Sequence, residues 1–231
     1  MKKWITVLTL LIILCSKNYS QTAGGSFVIG VPQNEFKENV DNLGYGIELH
    51  GTFWKPEKKR PVTLGLNFGY MVYGMENDTR PLSHTIPDVL VDVSRQNSIV
   101  NFHLLLQVAP FTGTWRPYLE GLAGGNYIYT STEVTSQHSW GDDENIAEST
   151  NFDDFSWSFG VGGGWLIRLK ENPDDHGTLY LNLKCRYMWG MRAQYLAEGD
   201  IETYDNGRVT YNLHESKTDL FTINIGVDYY F

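Results

Sequence analysis

The feature that most limits what this chain can become is a two-residue rhythm. In the last segment Phe221, Ile223, Ile225, Val227, Tyr229 and Phe231 alternate with Thr222, Asn224, Gly226, Asp228 and Tyr230. An extended strand there puts the first set on one face and the second on the other. The same rhythm runs through segments 43–53, 62–73, 155–169 and 179–189, with Leu166 as an apolar exception on a polar face. Weaker alternation over Thr22–Val31, Gln96–Ala109 and Pro117–Ser131 brings the expected strands to eight. No run of 18 apolar residues occurs after residue 20, which excludes a helical membrane span there.

The links between these segments fall into two classes that alternate strictly. Lys55–Pro61, Phe111–Arg116 and Lys170–Gly177 are short and turn-like, whereas Pro32–Asn42, Met75–Arg95, Thr132–Phe152 and Arg192–Lys217 are long. A soluble sandwich has no reason to sort its loops this way. A membrane barrel does, with short turns in the periplasm and long loops outside. The expectation is therefore all-β: an eight-stranded antiparallel transmembrane β-barrel with short periplasmic turns, long extracellular loops and both termini on the short-turn side.

A water-soluble, lipocalin-like barrel is the competing fold, and the polar face separates the two. That face carries Gly24, Gly44, Gly46, Gly65, Gly69, Gly160, Gly162 and Gly164 together with charges. Small and ionic residues fit a narrow interior. Aromatic residues near segment ends, such as Tyr45, Phe53, Tyr127, Tyr129, Trp189 and Tyr229, fit the two lipid boundaries.

Residues 1–20 read as a secretory signal peptide, with Lys2 and Lys3, an apolar run from Trp4 to Leu14, and a polar exit from Ser16 to Ser20. The apolar run is shorter than a spanning helix requires. Leu14 is too bulky before Cys15 for a lipoprotein signal. The division is thus 1–20 signal peptide and 21–231 barrel domain. Cleavage removes three lysines and no acid, taking the net charge from −9 to −12. An acidic chain without a basic stripe is a poor nucleic-acid partner. Cys185 is then the sole cysteine, so no internal disulfide forms, and no Cys/His cluster has metal spacing. No cofactor is expected.

The chain resembles the small outer-membrane β-barrel proteins of Gram-negative bacteria, most of all the compact barrels common in Bacteroidota. The resemblance covers residues 22–231 and rests on the signal peptide, the loop sorting and the ending Val227-Asp228-Tyr229-Tyr230-Phe231. It implies an outer-membrane location among lipid and lipopolysaccharide. It also implies that Phe231 is the terminal aromatic read by the barrel-assembly machinery during insertion. It does not fix an activity, since such barrels include structural proteins, adhesins, channels, lipid-modifying enzymes and secretion-system parts.

Glu48, His50, His103, Glu120, Arg168, Lys184, Arg186 and Asp228 all fall on the polar face, so they are expected in the lumen as an ion-paired network. A gated path for protons or small ions through Glu48, Glu120 and Arg186 is the sharper alternative. Hydrolytic chemistry would need a Ser and a His together. His103 has no Ser two residues away, and Ser83-His84 and His138-Ser139 sit in long polar loops where such pairs are ordinary. The acidic loop Gly141-Asp142-Asp143-Glu144-Asn145 lacks EF-hand spacing. The glycine run 160–164 lacks the helix of a phosphate loop. The reading is a non-enzymatic barrel whose loops mediate surface contact or assembly. A narrow channel, a lipid A-modifying enzyme and a secretion or uptake component are the rivals.

Overall fold

The computed structural model of the protein describes residues 21–83, 86–136, 145–171, 177–204 and 208–231. The expected signal peptide, His84, His138 and the acidic loop 141–144 lie outside these residues. Eight strands form one closed ring: β1 (Thr22–Pro32), β2 (Gly44–Thr52), β3 (Val62–Ser83), β4 (Ile86–Val108), β5 (Trp115–Ser136), β6 (Asn145–Glu171), β7 (Thr178–Gly190) and β12 (Leu220–Tyr230). Each is antiparallel to both neighbours. β1 closes the ring, pairing with β12 from Thr22↔Tyr230 to Pro32↔Leu220 and with β2 from Thr22↔Thr52 to Gly30↔Gly44. Within the ring, closure pairs each strand on both sides, which hydrocarbon requires.

The two faces are inverted relative to a soluble barrel. Along β12, Leu220, Thr222, Asn224, Asp228 and Tyr230 are buried, while Ile223, Ile225 and Val227 are exposed. Leu104 is 62% exposed, Leu119 69% and Ile47 57%, whereas Asn67 and Asn182 are each 1% exposed. An apolar exterior of this extent around a polar interior suits lipid and not water. Aromatic pairs mark both margins of the belt. Tyr127 and Tyr129 stack at 5.6 Å and Tyr187 meets Trp189 at 5.0 Å on the loop side, and Tyr229 meets Phe231 edge-on at 4.8 Å on the turn side. The fold is a transmembrane β-barrel.

Glycine is demanded where staves crowd. A Cβ on Gly46 would strike the backbone of Tyr70 and Met71 on β3, and one on Gly24 would strike His50 and Asp228. These positions account for the small residues on the polar face.

Two links differ from the sequence expectation. A membrane strand needs roughly 9–11 residues, but β3, β4, β5 and β6 have 22, 23, 22 and 27. Much of Met75–Arg95 and Thr132–Phe152 is therefore strand and not loop, a four-stranded sheet standing above the barrel. Water wets this extension, so polar residues populate both of its faces and the rhythm fades. Cross-strand hydrogen bonds take over the pairing, as from Thr79 Oγ1 to Asp92 Oδ1 (2.6 Å) and Ser94 Oγ to Asn77 Oδ1 (2.7 Å). The link after β1 holds a helix, α1 (Asn34–Asn39). The link after β7 folds into β8 (Arg192–Tyr195), β9 (Ile201–Thr203), β10 (Val209–Tyr211) and β11 (His214–Lys217).

An unboiled detergent extract of the membrane fraction is expected to migrate faster on a gel than a boiled one, because a closed barrel resists unfolding until heated. Recovery in the soluble fraction with no shift would overturn the membrane fold.

Candidate functional site

The lumen is filled in three tiers. Across its middle, Lys184 Nζ donates to Glu48 Oε1 at 2.6 Å, and Arg186 donates through Nη1 to Glu48 Oε2 and through Nε to Glu120 Oε1. Asn67 Oδ1 accepts from both Arg186 terminal nitrogens at 3.2 and 3.3 Å, and Asn224 Nδ2 donates to Glu48 at 3.4 Å. These charges come from β2, β5 and β7, which face one another across a narrow bore. Their side chains are at most 6% exposed, so each charge depends on its partners for the solvation that water would otherwise supply. Toward the periplasm, Asp228 accepts two hydrogen bonds from Asn182 Nδ2 (3.1 and 3.0 Å) and lies 3.3 Å from His50 Nε2.

Below this tier the bore ends in an aromatic plate. Tyr180 and Tyr230 have ring centroids 4.8 Å apart, with Leu166, Tyr118 and Ala109 packed around them. The Leu166 exception belongs to this plate. The buried Arg116 guanidinium lies 5.4 and 5.1 Å from the two rings. It donates to Phe111 O at 2.9 Å, to Pro56 O at 2.9 Å and to Tyr180 OH at 3.2 Å. One side chain thereby ties two periplasmic turns across the barrel mouth. Sequence reasoning missed it because Arg116 sits at the junction of turn and strand. Its place on the inward parity of β5, beside Tyr118 and Glu120, was the available signal.

Arg168 stands apart from the other residues expected in the network. It donates to Glu171 Oε2 at 2.7 Å and to Gly113 O at 3.3 Å, with its side chain 33% exposed at the periplasmic rim. Alternation tells which face a residue takes and not how deep it sits, and a register irregularity between Arg168 and Lys170 marks the strand end.

Above the charged tier lies an apolar cork. Met71, Tyr73, Ile99, Ile128, Met188 and Leu220 line the wall, and Phe36 and Val40 descend from the α1 segment onto them. Phe36, fully buried, meets Tyr73 at 5.7 Å and Tyr195 edge-on at 5.0 Å. Tyr73 OH donates to Leu196 O at 2.9 Å, and Asn39 Nδ2 donates to Tyr195 OH at 3.0 Å. Between cork and charges lies a cavity of about 30 Å³, bordered by Glu48, Asn67, Asn101, His103 and Arg186. That is room for roughly two water-sized molecules.

His103 does meet a serine, across the sheet and not along the chain. Its Nε2 lies 2.5 Å from Ser158 Oγ, and Ser158 Oγ donates to Asn126 Oδ1 at 3.1 Å. Ser158 thereby bridges the imidazole and the Asn126 amide. Both residues are at most 1% exposed, so this geometry serves interior hydrogen bonding.

Outside the membrane, the four-stranded extension has edges that the barrel neighbours do not cover. β2 begins pairing at Tyr45↔Val72, leaving β3 from Tyr73 to Ser83 beyond its reach. β7 stops at Gly190↔Ser158, where Met191 N to Trp157 O and Gln194 N to Asp154 Oδ2, both 2.8 Å, partly cover β6. The β3 edge borders an open cleft of about 710 Å³, walled by Asp41, Asn42, Tyr73, Gly74, Met75 and Glu198.

No protein-family model and no curated protein matches the chain. Solved structures similar to it are outer-membrane barrels. Neisserial surface protein A is 8% identical, with 91% of this chain and 95% of that one covered and a TM-score of 0.38. A major outer membrane protein from Thermus thermophilus is 13% identical, covering 92% and 100%, at 0.48. The attachment invasion locus protein of Yersinia pestis is 11% identical, covering 92% and 99%, at 0.36.

Proposed function

We propose that this protein is a non-conducting, non-enzymatic barrel of the Gram-negative outer membrane that holds an acidic β-sheet outside the cell for contact with a protein partner. The observation that carries the reading is the extension of β3–β6 above a bore filled at three levels. A strand edge that β2 does not reach offers backbone donors and acceptors for strand addition. Of the chain's 27 acids, twenty fall in segments 33–43, 73–97, 130–157 and 191–219, against six bases, so a cationic partner is favoured in steering. The finer placement among compact Bacteroidota-type barrels rests on the loop sorting and the aromatic ending. In this reading Phe231, 55% exposed beside Tyr229, is the mark used by the assembly machinery. The surroundings are outer-membrane lipid and lipopolysaccharide.

A photo-crosslinking residue placed at Asn77, on the β3 edge, is expected to capture one partner reproducibly in intact cells. The same residue at Ile225, on the lipid face, is expected to capture none. A purely monomeric product from Asn77 would overturn the contact role. A steady open conductance in planar bilayers would favour the channel, and altered lipid A acyl chains the enzyme.

A further inference from the structure

The outer wall carries a groove of about 350 Å³ bordered by Phe53, Leu64, Leu104, Leu106, Gly121 and Ala123. Its neighbours Leu119, Phe159 and Val161 are large and exposed, so the depression arises where Gly121 and Ala123 replace a bulky lipid-facing side chain. Crowding explains the interior glycines but not this one. A Cβ on Gly121 would meet nothing within 4 Å, whereas one on Gly124 would strike the backbone of Phe102 and His103. The smallness of Gly121 is not required by the protein's own packing.

The groove leads to a basic turn. Phe53 N donates to Leu64 O at 2.9 Å, Leu64 pairs with Leu106, and Leu106 pairs with Gly121, which makes one row across the wall. Immediately after Phe53 come Trp54 and the turn residues Lys55, Lys58, Lys59 and Arg60, with Glu57 the single acid among them. The turn is held in shape. Glu57 and Arg60 exchange backbone hydrogen bonds of 2.9 and 3.0 Å, Arg60 lies 5.1 Å over the Trp54 ring, and Trp54 Nε1 donates to Val62 O at 2.8 Å. Phe111 and Trp115, 55% and 64% exposed, mark the lipid boundary at this end.

We infer that this groove and turn bind an anionic diacyl phospholipid of the periplasmic leaflet, one acyl chain lying along Leu64, Leu106 and Gly121 and the phosphate facing Lys55, Lys58, Lys59 and Arg60. The inference rests on the membrane reading above. Charge complementarity selects the ligand. The periplasmic turn is basic and the extracellular end strongly acidic, so an anionic headgroup is welcomed at one end only. A basic side chain near an anionic surface favours binding by about fivefold.

Native mass spectrometry of the detergent-extracted protein, titrated with phosphatidylglycerol or phosphatidylcholine of identical chains, tests it. Phosphatidylglycerol is expected to be retained about 25-fold more strongly, in line with two effective charges at about fivefold each. Lys58→Gln with Lys59→Gln is expected to remove most of that preference and leave phosphatidylcholine retention unchanged. Gly121→Leu, which has open space for its side chain, is expected to fill the groove and lower retention of both lipids. Equal retention of the two lipids by the unaltered protein, or retention indifferent to Gly121→Leu, would mean annular lipid only and would overturn the site. The gel shift on heating, read on every variant, separates that failure from failure of the barrel itself.

Discussion

Replacing Arg186 by methionine is expected to lower the stability of the folded barrel by about 3–5 kcal/mol, the usual cost of removing one partner from a buried ion pair. The guanidinium is the only group that contacts both Glu48 and Glu120 among the described residues. Without it Glu120 loses its ion-pair partner and Glu48 keeps Lys184 alone, inside a bore from which water is nearly excluded. The measurement is urea unfolding in lipid vesicles, read by the gel shift on heating. Adding Glu120→Gln alone to the same protein is expected to recover most of the loss, because it leaves the Glu48–Lys184 pair balanced and the penalty comes from uncompensated charge and not from lost shape. A loss below about 1 kcal/mol would place the network in the regime of solvent-exposed pairs, and the interior would have to be read as hydrated.

The shared interior position of Glu48, Glu120, Lys184 and Arg186 is legible in the sequence, because parity in a strand is strict. What parity cannot give is depth and partner. Arg168 obeys the same alternation yet lies at the rim with Glu171 and Gly113. His103 has no serine two residues away on its own strand, whereas Ser158 reaches it from β6, 55 residues away. The extended strands were hidden for another reason. The rhythm records a contrast between lipid and lumen, and above the membrane that contrast ends while the hydrogen-bonded ladder continues. The cork was hidden by its setting. Phe36 and Val40 are spaced four apart in a polar link, the spacing of one helical face, and a short helical turn is enough to carry both into the bore. Arg116 illustrates the same point at the other end, where a turn residue that looks exposed in sequence becomes the tie between Phe111, Pro56 and the Tyr180–Tyr230 pair.

Phe36→Ala is expected to release the cork without dissolving the barrel. Phe36 is fully buried among Tyr73, Tyr195 and Val40, and truncation of a buried phenylalanine costs about 3–5 kcal/mol. The cost falls on the docking of α1 and the β8–β11 segment, because the eight-strand ladder beneath them closes through pairs that Phe36 does not touch. Local opening then becomes far more frequent. Trypsin cleavage after the neighbouring Lys37 in intact cells is expected to rise by about a hundredfold or more, since cleavage follows the population of the opened form. The heat-dependent gel shift is expected to persist. Conductance is expected to stay absent, because the Arg186 network and the Arg116 plate still fill the bore below the cork. Loss of the gel shift together with cleavage would show instead that cap and barrel fold as one unit, and appearance of a conducting state would make the cork the sole barrier and overturn the three-tier account of the lumen.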